Sequence, residues 1–266
     1  MRMTYRFGSV RVQLDLPSEF AEVGRHCDAY LLPFFESVES ESGADYVVNL
    51  VSAIDLSEDR ELLKSKGNPV DIDKSGGFLR CHGHYIQTGA IRDVWMEPFG
   101  VHARIDTEKK QVTIWGQDTE RLKIPVVRVI EDIVSDLLEK LGSVLIHSSG
   151  VTVNGSAVLC VGNKGAGKTT SLVRMLRDFE SRKLCNDLSV FMDVDNGVNV
   201  RGWPSYFKVE VGQFQKLKNL RSFSPTRTLT CSVKMNSGRS MIKYLCFHRV
   251  LDVIFRAQMI LRHRFK

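Results

Sequence analysis

Gly162-Asn163-Lys164-Gly165-Ala166-Gly167-Lys168-Thr169 is the stretch on which the reading of this chain turns. It follows the apolar run Ala157-Val158-Leu159-Cys160-Val161 and precedes a helix-like run from Thr170 to Leu176. The order is strand, glycine-rich loop, helix. The spacing fits the phosphate-loop (Walker A) pattern G-x-x-x-x-G-K-[ST], in the context that pattern requires. Glycine lets the backbone take positive φ and come close to a ligand. Successive N–H groups then converge on an anion, and the helix beginning near Lys168 adds its unpaired N–H groups and positive dipole end. In such a loop Lys168 reaches the β- and γ-phosphates of a nucleotide and the Thr169 hydroxyl ligates Mg²⁺. The candidate cofactor-binding residues are Gly162, Asn163, Lys164, Gly165, Ala166, Gly167, Lys168, Thr169 and Thr170, and the cofactors expected are ATP or GTP with Mg²⁺.

Upstream of the loop, Val144-Leu145-Ile146-His147 and Val151-Thr152-Val153 read as one strand, and Asn154-Gly155 as a tight hairpin turn. The return strand, Ala157 to Val161, delivers the loop, so its antiparallel neighbour carries His147. Downstream, Lys183 to Asp187 leads into the apolar strand Leu188 to Met192. Asp195-Asn196-Gly197 is a turn, Val198 to Arg201 a short strand, and Trp203-Pro204 ends it.

Further out, Val127, Ile130, Ile133, Val134, Leu137, Leu138 and Leu141 repeat at helical spacing. Pro125 suits the first turn of that helix and Gly142 its C-terminal cap. Before it the chain reads as short strands. Tyr5 to Leu16 is one strand, Phe20 to Val38 carries a short helix, and Asp45 to Ile54 is a strand. Glu58 to Pro69 is a loop or frayed helix. Gly77 to Thr88 holds His82 and His84 on one strand face, and Val101 to Ile105 pairs with Gln111 to Trp115 as a hairpin. The change of pattern places a domain boundary near residue 120: residues 1–120 form a smaller, mostly-β domain and residues 121–266 a nucleotide-binding domain. Past Tyr206, Phe207 to Leu220 reads as helical, Arg221 to Arg239 as polar and irregular, and Ile242 to Leu261 as an apolar helix flanked by basic residues.

Composition bounds the class. The chain has 266 residues, 43% hydrophobic, with a net charge of +6, enough for one large or two modest domains. The charge suits an acidic substrate or a nucleotide as well as nucleic acid, which is disfavoured as the main partner. Six cysteines lie far apart without a C-x-x-C pair, so neither a zinc site nor a disulfide scaffold is expected, and a reducing cytoplasm is the simplest compartment. The first residues lack a signal-peptide core, and no apolar run is long enough to span a membrane.

The succession Leu145-Ile146-His147, hairpin, phosphate loop, helix, Asn186-Asp187 resembles the HPr kinase/phosphorylase family, and in particular its small kinase-like relatives beside peptide-modifying gene sets. Gly162, Gly165, Gly167, Lys168 and Thr169 match the family loop, His147 matches a family histidine, and Tyr5-Arg6-Phe7-Gly8-Ser9 is similar to the opening of the small relatives. The resemblance implies an α/β fold with a mixed-sheet P-loop core like that of phosphoenolpyruvate carboxykinase. It implies a kinase passing the γ-phosphoryl group to a hydroxyl of a peptide, protein or small molecule. It makes Asp187, His147 and Lys168 the catalytic candidates and Thr169 and Asp187 the metal candidates. Family members are often oligomeric, so a homo-oligomer is among the implied partners. Two positions depart from the pattern, since Asn186 and Asn199 each stand where the family has a carboxylate. The alternative reading is therefore a nucleotide-binding regulatory module with weak or no phosphotransfer.

Overall fold

The computed structural model describes residues 1–39, 43–72, 81–163, 165–194, 197–204 and 231–234. The expected helices over Phe207 to Leu220 and Ile242 to Leu261 lie outside these residues. The chain divides into two compact units, Met1–Gly142 and Ser143–Lys266. The fold is α/β, with a large mixed sheet in the first unit, a second sheet in the other, and four helices among the described residues.

The chain opens with β1 (Arg2–Phe7) and β2 (Val10–Asp15) as an antiparallel hairpin. A single strand over Tyr5 to Leu16 is thus corrected. Gly8 turns the chain with φ 62°, a conformation glycine takes without strain. Alternation buries one side of both strands, and Tyr5, Phe7, Val10, Val12 and Leu14 are each 2% exposed or less. Next come α1 (Ala21–Leu31), β3 (Glu36–Ser37), β4 (Tyr46–Ser52) and α2 (Ser57–Lys66). Then follow β5 (Asn68–Ile72), β6 (Cys81–Thr88), β7 (Ile91–Met96), β8 (Val101–Asp106) and β9 (Gln111–Gly116). Their order across the sheet is β3-β1-β2-β4-β9-β8-β7-β6-β5. β4 runs parallel to both β2 and β9, and the other neighbours are antiparallel.

The expectation of a loop or frayed helix over Glu58 to Pro69 gives way to a well-formed α2. Glu58 and Asp59 lie in its first turn and Lys64 and Lys66 in its last, which suits the helix dipole. Leu63, on its inner side, is 2% exposed.

α3 (Thr119–Lys140) begins earlier than Pro125 suggested. Asp118 caps it, accepting from the N–H groups of Glu120 and Arg121, so Pro125 falls inside the helix. An interior proline costs about 3 kcal/mol. The buried stripe Leu122, Val126, Ile130, Val134 and Leu138 offsets this, at roughly 1.5–3 kcal/mol for each large side chain removed from water. That stripe packs on β2, β8, β9 and α1. α3 is therefore the cover of the first sheet, which moves the boundary from residue 120 to residue 142. Among the described residues, three of the four helices belong to the first unit. Gly142, with φ 88°, ends α3 as the C-terminal cap expected.

The second unit contains β10 (Val144–Val153), β11 (Ser156–Val161), α4 (Lys168–Asp178), β12 (Arg182–Cys185), β13 (Leu188–Val194), β14 (Gly197–Gly202) and β15 (Cys231–Lys234). The sheet order is β11-β10-β13-β14-β15, with β12 also on β10. Every ladder among these strands is antiparallel. The mixed sheet expected around the loop is therefore not what these strands form. β15 also falls where an irregular stretch was expected.

Candidate active site

The site grows from β10. This strand pairs with β11 through residues 148–153 and with β13 through residues 144–147. Asn154 and Gly155, with φ 48° and 75°, form the turn to β11, the two positive φ values that a two-residue hairpin of matching twist demands. β11 runs into the loop. Gly165 and Gly167 take φ 84° and 83°, and Gly167 is the N-cap of α4. Lys168 is therefore the first helical residue and Thr169 follows it, half-buried. Leu172 and Val173 anchor the helix inside the unit. Asn163, Gly165, Ala166 and Thr170 are exposed, Gly162 is half-buried, and Lys164 lies outside the described residues.

Lys168 is held in place from both ends. Its ammonium donates to the Gly162 carbonyl at 2.7 Å and to the Asn163 carbonyl at 3.1 Å. Its own carbonyl accepts from Ser149 Oγ at 2.7 Å. Partial burial lowers the Lys168 ammonium from its ordinary value, and the Asp187 carboxylate works against that shift. The lysine thus sits in the field of Asp187 while bracing the loop. The Ala166 N–H donates to the Asn163 carbonyl at 3.1 Å, which closes the turn of the loop.

His147 and Asp187 meet. His147 Nδ1 lies 3.0 Å from Asp187 Oδ1, with side-chain exposures of 45% and 29%. Asp187 is fixed in turn by its backbone, since the Ser148 N–H donates to its carbonyl at 2.9 Å. His147 and Ser149 alternate onto one face of β10, so the histidine and the residue that grips Lys168 share a face. Register carries that face onward. Leu145 is opposite Val190, and Val190 is opposite Arg201, so Arg201 and Asn199 stand on the same side as His147.

Ser149 was missed at the sequence level. The other face holds a buried polar cluster, also missed: Ser148 Oγ lies 2.7 Å from Ser189 Oγ and 3.5 Å from Cys185 Sγ. Burial pushes the Cys185 thiol up to about 12 and raises Cys160, which a hydrogen bond with Ser171 counters in part. Neither is poised as a nucleophile.

Asn186 Oδ1 and Asn199 Oδ1 are buried without a hydrogen-bond partner. Such orphaned acceptors are uncommon in folded chains and cost free energy. Among the described residues, no three His, Cys, Asp or Glu side chains converge on a metal site. That holds for His82 and His84 as well. A Mg²⁺ ion that arrives with nucleotide phosphates takes only one or two carboxylates from protein. The donor set of Thr169 and Asp187 suits that kind of site rather than a dedicated cage.

The chain matches no family model, and no curated protein matches it. Among the described residues, no helix is long and apolar enough to cross a membrane.

Proposed function

We infer that the chain is a nucleoside-triphosphate-dependent phosphotransferase of the HPr-kinase-like kind, acting on a hydroxyl acceptor. One observation carries the reading. A glycine loop at the N-terminus of α4, with Lys168 leading the helix, stands beside His147 of the adjoining β10, which meets Asp187, just before β13, at 3.0 Å. The loop supplies converging N–H groups and a helix dipole for phosphate. Phosphoryl transfer needs positioning, charge neutralisation and an oriented nucleophile. Lys168 would leave the Gly162 and Asn163 carbonyls for the phosphates. Asp187 would accept the proton of the attacking hydroxyl, with His147 orienting its carboxylate. Thr169 and Asp187 would hold Mg²⁺, which supplies neutralisation of phosphate charge.

The orphaned Asn186 and Asn199 oxygens favour a second reading, a nucleotide-binding module with little transfer. An amide in place of a carboxylate keeps the shape and removes a charge. Labelled nucleotide incubated with peptide, protein and small hydroxyl acceptors tests the choice. Transfer that Lys168→Ala abolishes supports the kinase. Tight nucleotide binding with no transfer under any condition favours the module. Absence of nucleotide binding overturns both.

A further inference from the structure

β10 and β11 receive α4 through two residues paired by register. Ser149 of β10 is opposite Cys160 of β11, so both side chains stand on one face of the ladder. Ser149 Oγ donates to the Lys168 carbonyl at 2.7 Å. Cys160 is hydrogen-bonded to Ser171. Lys168 and Ser171 lie three apart in α4, which puts them on one side of the helix. The first turn of α4 is thus clasped at two points, one from each strand.

The Ser149 bond is not what makes α4 a helix. The carbonyl of the first helical residue already accepts from the N–H four residues on, and its oxygen has a second lone pair. What Ser149 fixes is the backbone end of Lys168. A lysine stem is a flexible four-carbon chain, so the reach of its ammonium depends on where the stem is rooted. Ser149 is 0% exposed, and solvent does not compete for its hydroxyl.

β10 carries the other half of the site as well. His147 precedes Ser149 by two residues, roughly 7 Å along the strand and on the same face. His147 Nδ1 meets Asp187 Oδ1 at 3.0 Å. One short piece of strand therefore sets both the root of Lys168 and the place of Asp187, whose carboxylate acts on the Lys168 ammonium.

We propose that Ser149 is a positioning residue for nucleotide binding, whose bond to the Lys168 carbonyl roots the lysine so that its ammonium passes from the loop carbonyls to the nucleotide phosphates. This rests on the nucleotide reading of the loop and needs no phosphoryl transfer. Without the bond, the first turn pivots on the contact of Cys160 with Ser171, and the ammonium stays with the Gly162 and Asn163 carbonyls.

The test follows acetylation of Lys168 by N-hydroxysuccinimidyl acetate in the full chain, read by peptide mass spectrometry with and without nucleotide and Mg²⁺. The nucleotide is ATP or GTP, whichever the native chain binds, at about a hundredfold above the native Kd. Hydrogen exchange in α4 checks that each variant is folded. In the native chain the nucleotide should slow acetylation of Lys168 about tenfold or more, as a hydrogen bond to a charged group requires. Ser149→Ala should stay folded with protection of about twofold or less. Ser149→Thr, which keeps the hydroxyl, should restore protection. Cys160→Ala, a loss of the same kind on the neighbouring strand, should keep it. Native-like protection in Ser149→Ala overturns the proposal. So does an unfolded α4 in Ser149→Ala, which makes the bond structural, and so does loss of protection in Cys160→Ala as well, which marks loosened packing. No protection in the native chain overturns the nucleotide reading of the loop, and this proposal with it.

Discussion

Replacing Gly150 by alanine tests whether the ladder that carries the phosphate loop is closed at that point. Gly150 lies in β10 opposite Leu159 of β11 and Cys185 of β12. A methyl group there would stand 2.7 Å from the Val158 carbonyl oxygen and would overlap the Leu159 side chain. Leu159 can rotate aside, but the Val158 carbonyl is backbone and moves only with its strand. Overpacking of this kind costs about 1–3 kcal/mol, and the backbone clash argues for the upper part, about 2–3 kcal/mol. At about 1.4 kcal/mol per tenfold, opening of the β10–β11 ladder should become roughly 30- to 150-fold more frequent. Hydrogen exchange followed by mass spectrometry reads this directly. Amides of residues 148–161 should exchange faster by that factor, while those of β8 and β9, in the other compact unit, should not change. Nucleotide affinity should fall as well, because β11 ends at the Gly162 carbonyl that Lys168 grips. Exchange in residues 148–161 that stays within about twofold of the native rate would refute the steric argument.

Three further outcomes follow from particular contacts. Asp187→Asn should lower phosphoryl transfer by about 10²–10⁴ and weaken nucleotide binding with Mg²⁺ but not without it, read by labelled transfer beside binding titrations with and without the ion. Asp118→Ala removes the two cap bonds to α3 and should cost the first unit about 1 kcal/mol in chemical denaturation. Glu97 is desolvated, but bonds from Lys64, Trp95 and Arg60 hold its carboxyl below the ordinary glutamate value. Its contribution is present above that ordinary value and is lost as pH falls through the lowered one. Strong acid should therefore loosen α2, seen as faster exchange in residues 57–66 once corrected for intrinsic rates.

Much of the second unit was legible because its signals are local. Asn154-Gly155 names its turn type, the glycines of the loop name their φ, and the runs Val144 to His147 and Val151 to Val153 name a strand. The resemblance named His147 and Asp187 as catalytic candidates, and their contact depends on β13 returning beside β10. The grip of Ser149 on Lys168 was hidden, since a lone serine in a strand carries no pattern of its own. The first unit was less legible where tertiary contacts outrank local preference. Pro125 reads as a helix start, yet the cap bonds lie seven residues earlier, at Asp118, and the buried stripe carries the helix through the proline. The charged run of α2 reads as a loop or frayed helix until Leu56 and Leu63 find Trp95 across the chain.

β10 meets β11, β12 and β13 at once, and this sets where the gene can change length. Side chains alternate with a period of two, so one residue added or lost between Ile146 and Ser149 would exchange the two faces. His147 would leave Asp187, and Ser149 would leave Lys168, in a single step. The exposed turn at Asn154 and Gly155 has no such constraint. An inserted epitope or fluorescent tag belongs there, where the strand has already delivered both of its contacts.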